Sequence, residues 1–269
     1  MFVIIPELKN TFIGLIYETF IILLFGILLI LIGRRFKRRK TEYTRNMFII
    51  FLSFTVAIIF SWLSKLILLI MEVPSFDFVD PTTSGFFIIA RILQFRVSFI
   101  LMVVGAYFIY IMKVKIFEEK ANPMEKWIVR ILSLITFAYS MVFVEQSNVL
   151  LDVIAFLFAF LTLMVVFIPF TIASFKMRKS IKGKVYKNAA FSLGIMGICF
   201  ILILFNFLLD RLWMMIFNDD GYTFFYFTAW AMGILGAITA YIGYIRPEQQ
   251  QKLIQTMSQN RDDKIIEDE

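Results

Sequence analysis

The stretch that decides the fold is Thr11–Lys40, TFIGLIYETFIILLFGILLILIG followed at once by RRFKRRK. From Thr11 to Gly33 a single charged residue, Glu18, interrupts an apolar run. A run of about 20 apolar residues crosses the hydrocarbon core of a bilayer as a helix. The basic cluster behind it reads as a stop-transfer signal, so the run predicts a retained anchor rather than a cleaved leader.

Six further runs repeat the pattern: Met47–Met71, Gly85–Met112, Trp127–Val144, Val149–Phe175, Ala189–Phe217 and Thr223–Ile245. Of the 269 residues, 60% are hydrophobic and 17% charged, and the mean hydropathy is +0.83. Soluble domains carry roughly a quarter charged residues. The expected fold class is an all-α integral membrane protein, a seven-transmembrane helix bundle. Residues 1–247 form one transmembrane domain, and 248–269 a cytoplasmic tail. Arg246-Pro247-Glu248 resembles a helix start, and Leu253, Ile254 and Met257 share a face, which predicts a short surface helix in that tail.

Charge alternates along the linkers. The first is the basic cluster Arg34–Lys40. The third holds Lys113, Lys115, Lys120 and Lys126, and the fifth runs from Lys176 to Lys187 with six cations. The linkers between them carry no Lys or Arg, only acids such as Glu72, Asp80, Glu145 and Asp219. Lys and Arg beside membrane helices stay in the cytoplasm, so the N-terminus is expected outside and the C-terminus inside. The net charge of +7 is then read as attraction to an anionic inner leaflet and not to nucleic acid. The expected location is the cell membrane, and the expected partners are the lipid bilayer, a small extracellular ligand and a cytoplasmic signalling protein.

The chain has no histidine and one cysteine, Cys199. That removes Ser-His triads, imidazole metal sites and internal disulfides. Neither an enzymatic activity nor a cofactor is expected.

Charges inside the apolar runs carry the site reading, because one at mid-bilayer costs at least about 2.5–3.5 kcal/mol. Seven bear on it: Glu18, Lys65, Arg91, Arg96, Asp152, Asp210 and Arg211. Glu18 lies sixteen residues from the inner basic edge, about 24 Å along a helix. Lys65 and Arg96 lie at similar depth, and the other four reach the outer interface. Two readings follow. One is an ion pair of Glu18 with Arg96 or Lys65 that fixes helix register. The other is a polar pocket open to the outside, with ligand-binding residues Glu18, Lys65, Arg96, Arg91, Gln94, Asp210 and Trp230. Counted along one helix, Arg96 points about 140° away from Arg91.

Other features have plainer readings. Pro169 is expected to kink the fifth run. Ala229, Gly233, Ala237 and Ala240 make a close-packing face. Ala106-Tyr107-x-x-Tyr110-Ile111 and Ala240-Tyr241-x-x-Tyr244-Ile245 match, which suggests two three-helix units joined by the fourth helix.

The layout, together with Tyr241-Ile242-Gly243-Tyr244-Ile245-Arg246-Pro247, resembles the seven-helix N-terminal sensor regions of prokaryotic, notably archaeal, histidine kinases. That resemblance implies a sensor. In the family an output module follows the last helix. Here only residues 248–269 follow, so output is expected through a separate partner. The alternative is a small-solute transporter of three-plus-one-plus-three build.

Overall fold

The computed structural model describes residues 9–71, 87–117, 122–143, 149–217 and 222–247. The expected tail helix and the acidic linker after Met71 lie outside them. Among the described residues there are eight helices and no strand: α1 Lys9–Arg39, α2 Glu42–Met71, α3 Phe87–Leu93, α4 Arg96–Phe117, α5 Pro123–Val142, α6 Val149–Ser180, α7 Lys184–Phe217 and α8 Phe224–Tyr244. Six of them, α1, α2, α4, α6, α7 and α8, are long and apolar enough to cross a membrane. The chain is a multi-pass membrane protein.

Those six helices close a ring in the order α1, α2, α4, α6, α7, α8 and back to α1. Pairing within the ring gives each helix its direction. Glu18 meets Ser61 while Phe36 stacks on Phe48, so α1 and α2 are antiparallel. Ser98 bonds to Ala57 while Lys115 pairs with Glu42, so α2 and α4 are antiparallel too. Across the ring, α4 and α6 run parallel: Phe99 packs on Phe156 at one end and Phe117 on Phe170 at the other. Likewise α8 and α1 are parallel, joined by Tyr226 to Glu18 at one end and Arg35 to the Tyr244 carbonyl at the other.

Two parallel neighbours need a return path between them, and α5 supplies it. It lies outside the ring against α4 and α6. One end sits at Lys113, whose ammonium bonds Glu125 at 2.5 and 2.6 Å. The other end sits at Arg91, which donates to the Met141 carbonyl at 2.5 Å. The sequence starts α5 firmly: Asn122 caps it by accepting from the Met124 amide, and Pro123 opens the first turn. Only Val129, Thr136 and Ser140 are buried, a single stripe, with Thr136 hydrogen-bonded to Thr162 of α6 at 2.9 Å. Trp127, Ile131 and Leu134 face outward. Glu125, Lys126 and Arg130 all lie near the start of α5.

The Gly85–Met112 run differs from the single helix expected of it. It breaks at Gln94–Phe95 and then extends to Phe117. Phe95 adopts φ +60°, a conformation L side chains rarely take. The angular count from Arg91 to Arg96 therefore does not apply, because it assumes an unbroken helix. The extension also carries Lys113, read from sequence as a linker cation, into a buried pair with Glu125. Pro169 lies inside the continuous α6. The small-residue face of α8 is turned inward as expected: Ala229, Gly233, Ala237 and Ala240 are buried, and Gly236 beside them faces Cys199 and Phe200.

The ring interior is aromatic. Phe200 of α7 is sandwiched between Phe54 of α2 at 5.0 Å and Phe167 of α6 at 5.3 Å, centroid to centroid. Stacked rings of this kind add about 0.5–1.5 kcal/mol each beyond the area they bury.

Candidate functional site

The charges that the sequence assigns to one side of the membrane do gather at one end of the ring, and they form two networks. In the first, Glu18 of α1 is wholly buried. Its Oε1 accepts from Lys65 Nζ at 2.8 Å, Ser61 Oγ at 2.9 Å and the Tyr226 hydroxyl at 2.9 Å. Three helices thus converge on one carboxylate oxygen. The register is what each helix would choose: Ser61 and Lys65 are four apart and share a face of α2. Lys65 also lies over the rings of Phe95 at 5.0 Å and Tyr226 at 5.5 Å. The Lys65 ammonium thus faces one anion and two ring faces. Of the two partners considered for Glu18, it is Lys65 that pairs.

The second network is Arg96 with Asp152 of α6, at 2.7 Å. Arg96 is also wholly buried, and its Nε and Nη1 have no hydrogen-bond partner. Its guanidinium lies 5.8 Å from the Tyr139 ring of α5. Arg211 of α7 sits nearby, 5.4 Å from the Phe95 ring and 5.3 Å from Phe156. Among the described residues no carboxylate lies within ion-pair distance of it, although Asp152 acts on it through space; its hydrogen bond goes to Met214 sulfur, a weak acceptor.

Between the networks lies a small cavity of about 30 Å³, room for about two water molecules. Its polar wall is Ser61, Ser98, Arg211 and Tyr226; the rest is apolar, with Phe95, Phe99, Phe156, Phe207 and Trp230. A second space of about 30 Å³ continues inward, lined by Phe25, Phe54, Leu163, Phe200 and Gly233. The two share Ile58, Met102, Leu204 and Trp230 as walls. A mainly apolar lining with a few convergent polar groups is the chemistry of small-molecule sites, here in a space that a ligand would have to widen. The described residues hold no cluster of acids, Cys or His able to bind a metal.

The structure sorts the expected ligand-binding residues into three groups. Trp230 lines the cavity. Glu18 and Lys65 stand behind its wall, tied to it through Ser61 and Tyr226, and Arg96 sits behind Phe95 and Phe99, paired with Asp152. Arg91 and Asp210 are engaged elsewhere. Arg91 bonds the Phe87 and Met141 carbonyls, tying α3 to α5. Asp210 accepts from the amide and hydroxyl of Thr223, which itself caps α8. Both roles stabilise helix ends. Gln94 is buried at the break between α3 and α4.

Sequence reasoning passed over Arg211, Ser61 and Tyr226 as site residues. Arg211 looked interfacial by depth. What marks it is its register: Arg211, Phe207, Leu204 and Phe200 recur on one face of α7 and follow the cavity from end to end.

No known protein family, curated protein or solved structure matches the chain.

Proposed function

We propose that this protein is a seven-crossing receptor or sensor of the cell membrane, N-terminus outside and C-terminus inside. It binds a small ligand from the outer side and signals through a separate cytoplasmic protein. The observation that carries this reading is the aromatic cavity set among buried charges at the acidic-linker end of the ring. Alternating helix directions, with α5 as the fourth crossing, support the layout. The basic linkers at the opposite end support the orientation.

A route for the signal follows from the same contacts. Tyr226 and Ser61 line the cavity and both bond Glu18. A ligand that competes for either hydroxyl shifts α8 and α2 relative to α1. At the other end α1 holds α8 through Arg35 and the Tyr244 carbonyl. A ligand moves such an equilibrium only by its differential affinity for two arrangements, and the shared oxygen of Glu18 offers two: bridged and released. The resemblance to kinase sensor regions agrees with this role.

A screen of the protein in nanodiscs by thermal shift, against lipids, amino acids and organic anions, tests the reading. The expected result is a class of ligand that raises the melting temperature; no stabilising ligand across the panel would count against it.

A transporter is the second reading. It is favoured by the two up-down-up triples, α1–α2–α4 and α6–α7–α8, which share one orientation and are joined by α5. Solute flux into proteoliposomes distinguishes the two.

A further inference from the structure

We infer that a crevice between the start of α7 and the end of α8 holds the headgroup of one acidic phospholipid, taken from the leaflet that the basic linkers face. The crevice lies at the other end of the ring from Glu18 and Arg211. It therefore stands or falls apart from the receptor reading.

The crevice has room. Its volume is about 230 Å³, several times that of either space beside Trp230. Asn188, Phe191 and Ser192 of α7 form one wall, and Ile242, Arg246 and Pro247 the other. It opens beside Gly243, where α8 lies so near Leu193 that an added Cβ would come within 2.7 Å of its side chain.

Its polar groups are not used within the bundle. Ser192 is only 8% exposed, yet its hydroxyl makes no hydrogen bond among the described residues. It does not even take the carbonyl one turn back, as Thr162 and Ser174 do. Asn188 and Arg246 are exposed. A buried hydroxyl left open to a cleft calls for a partner from outside the protein.

The charge around it has one sign. No Asp or Glu occurs from 153 to 209 or from 221 to 247. Lys184 and Lys187 precede Asn188 and Phe191 by four residues, so each stands one turn nearer the helix end on the same face. Arg178 of α6 lies 4.4 Å from the centroid of the Phe191 ring. Basic pockets between membrane helices at this side suit acidic headgroups. The Arg246 fork matches two phosphate oxygens, and Asn188 and Ser192 can donate to others.

Apolar surface separates a lipid from a soluble anion. Phe191, Ile198 and Phe205 recur at seven-residue spacing along α7 and are exposed. Leu235 and Ile238 are exposed on the face of α8 that ends at Ile242. Both stripes begin at the crevice and lead toward mid-bilayer. A phospholipid seated by its head lays its chains along them, and a free phosphate compound gains nothing from them.

The test is native mass spectrometry of the full chain released from nanodiscs of mixed phosphatidylglycerol and phosphatidylcholine. Retention of a single phosphatidylglycerol is expected. Its affinity should fall roughly tenfold in Arg246→Gln, the loss of one charge-assisted hydrogen bond. Lys126 is an exposed cation of α5, outside the ring against α4 and α6. Lys126→Gln should change the affinity by less than about twofold, because distant exposed charges are screened. Asn188→Phe fills the crevice from an exposed position, and should abolish retention while the melting temperature holds. Glycerol 3-phosphate should not compete. Equal weakening by Arg246→Gln and Lys126→Gln would reveal diffuse attraction to the basic end and overturns the inference. Phosphatidylcholine retained as strongly as phosphatidylglycerol also overturns it, as does a folded Asn188→Phe chain that keeps its lipid. Competition by glycerol 3-phosphate at the lipid's own affinity makes the occupant a soluble anion and overturns it too. In a Cys199→Ala background, a disulfide between Asn188→Cys and Leu253→Cys that forms equally with and without phosphatidylglycerol gives the crevice to residues 248–269, and the lipid falls.

Discussion

Lys65 Nζ lies 2.8 Å from Glu18 Oε1, and both side chains are sealed from solvent. A pair like this is strongly coupled, since removing one partner leaves the other as an uncompensated buried charge. Lys65→Met is expected to cost about 3–5 kcal/mol. The double variant with Glu18→Gln should recover much of that loss. Unfolding of the three variants in bicelles checks it, and a double variant no better than Lys65→Met contradicts the pairing.

Helix packing gives a second prediction from two glycines of α8. At Gly243 an added Cβ would approach Leu193 Cδ2 to 2.7 Å, with the Ala189 carbonyl at 3.3 Å. At Gly233 the closest contact is 3.5 Å. Overpacking costs about 1–3 kcal/mol. Gly243→Ala should therefore lower the melting temperature clearly, whereas Gly233→Ala should leave it near wild type. Equal effects would mean that α7 and α8 do not meet as described.

The break at Phe95 yields a third. With φ at +60°, any L side chain there is strained, and glycine is not. Truncation to alanine and to glycine both remove the ring. The glycine variant should nonetheless be the more stable by about 1 kcal/mol. The opposite order would indicate a continuous helix through Gln94 and Phe95.

Crossing by α5 is tested by labelling. In a background with Cys199→Ala, single cysteines replace Lys126 and Phe143, near opposite ends of α5 and both exposed. An impermeant maleimide should label Phe143→Cys on intact cells and Lys126→Cys only after lysis. Labelling of both from one side would contradict the seven-crossing layout.

Much of this architecture is legible from the chain, and the reasons are particular. Long apolar runs announce the six ring helices. The depth count correctly brings Glu18, Lys65 and Arg96 to one end, since rise per residue is fixed once a helix is assumed. The count fails where the helix does: Phe95 is an ordinary apolar residue, and no Gly or Pro announces the break beside it. Pairing is also illegible, because depth ranks residues without saying which faces meet. Arg96 therefore finds Asp152 instead of Glu18. Lys113 reads as a linker residue until the extension of α4 buries it. The position of α5 outside the ring has one trace in sequence: Glu125, Lys126 and Arg130 are tolerated because only a stripe of that helix is covered.

The central claim is that the cavity binds the ligand that the protein senses. Ile58 lines both halves of the cavity and touches no charge network. Ile58→Phe adds volume into the space between Met102 and Trp230, and cavity filling of this kind commonly preserves or raises stability. The decisive measurement is the ligand-induced thermal shift of wild type and Ile58→Phe side by side in nanodiscs. The account predicts that the variant melts at or above the wild-type temperature and no longer responds to ligand. A full ligand shift in the filled variant would contradict it.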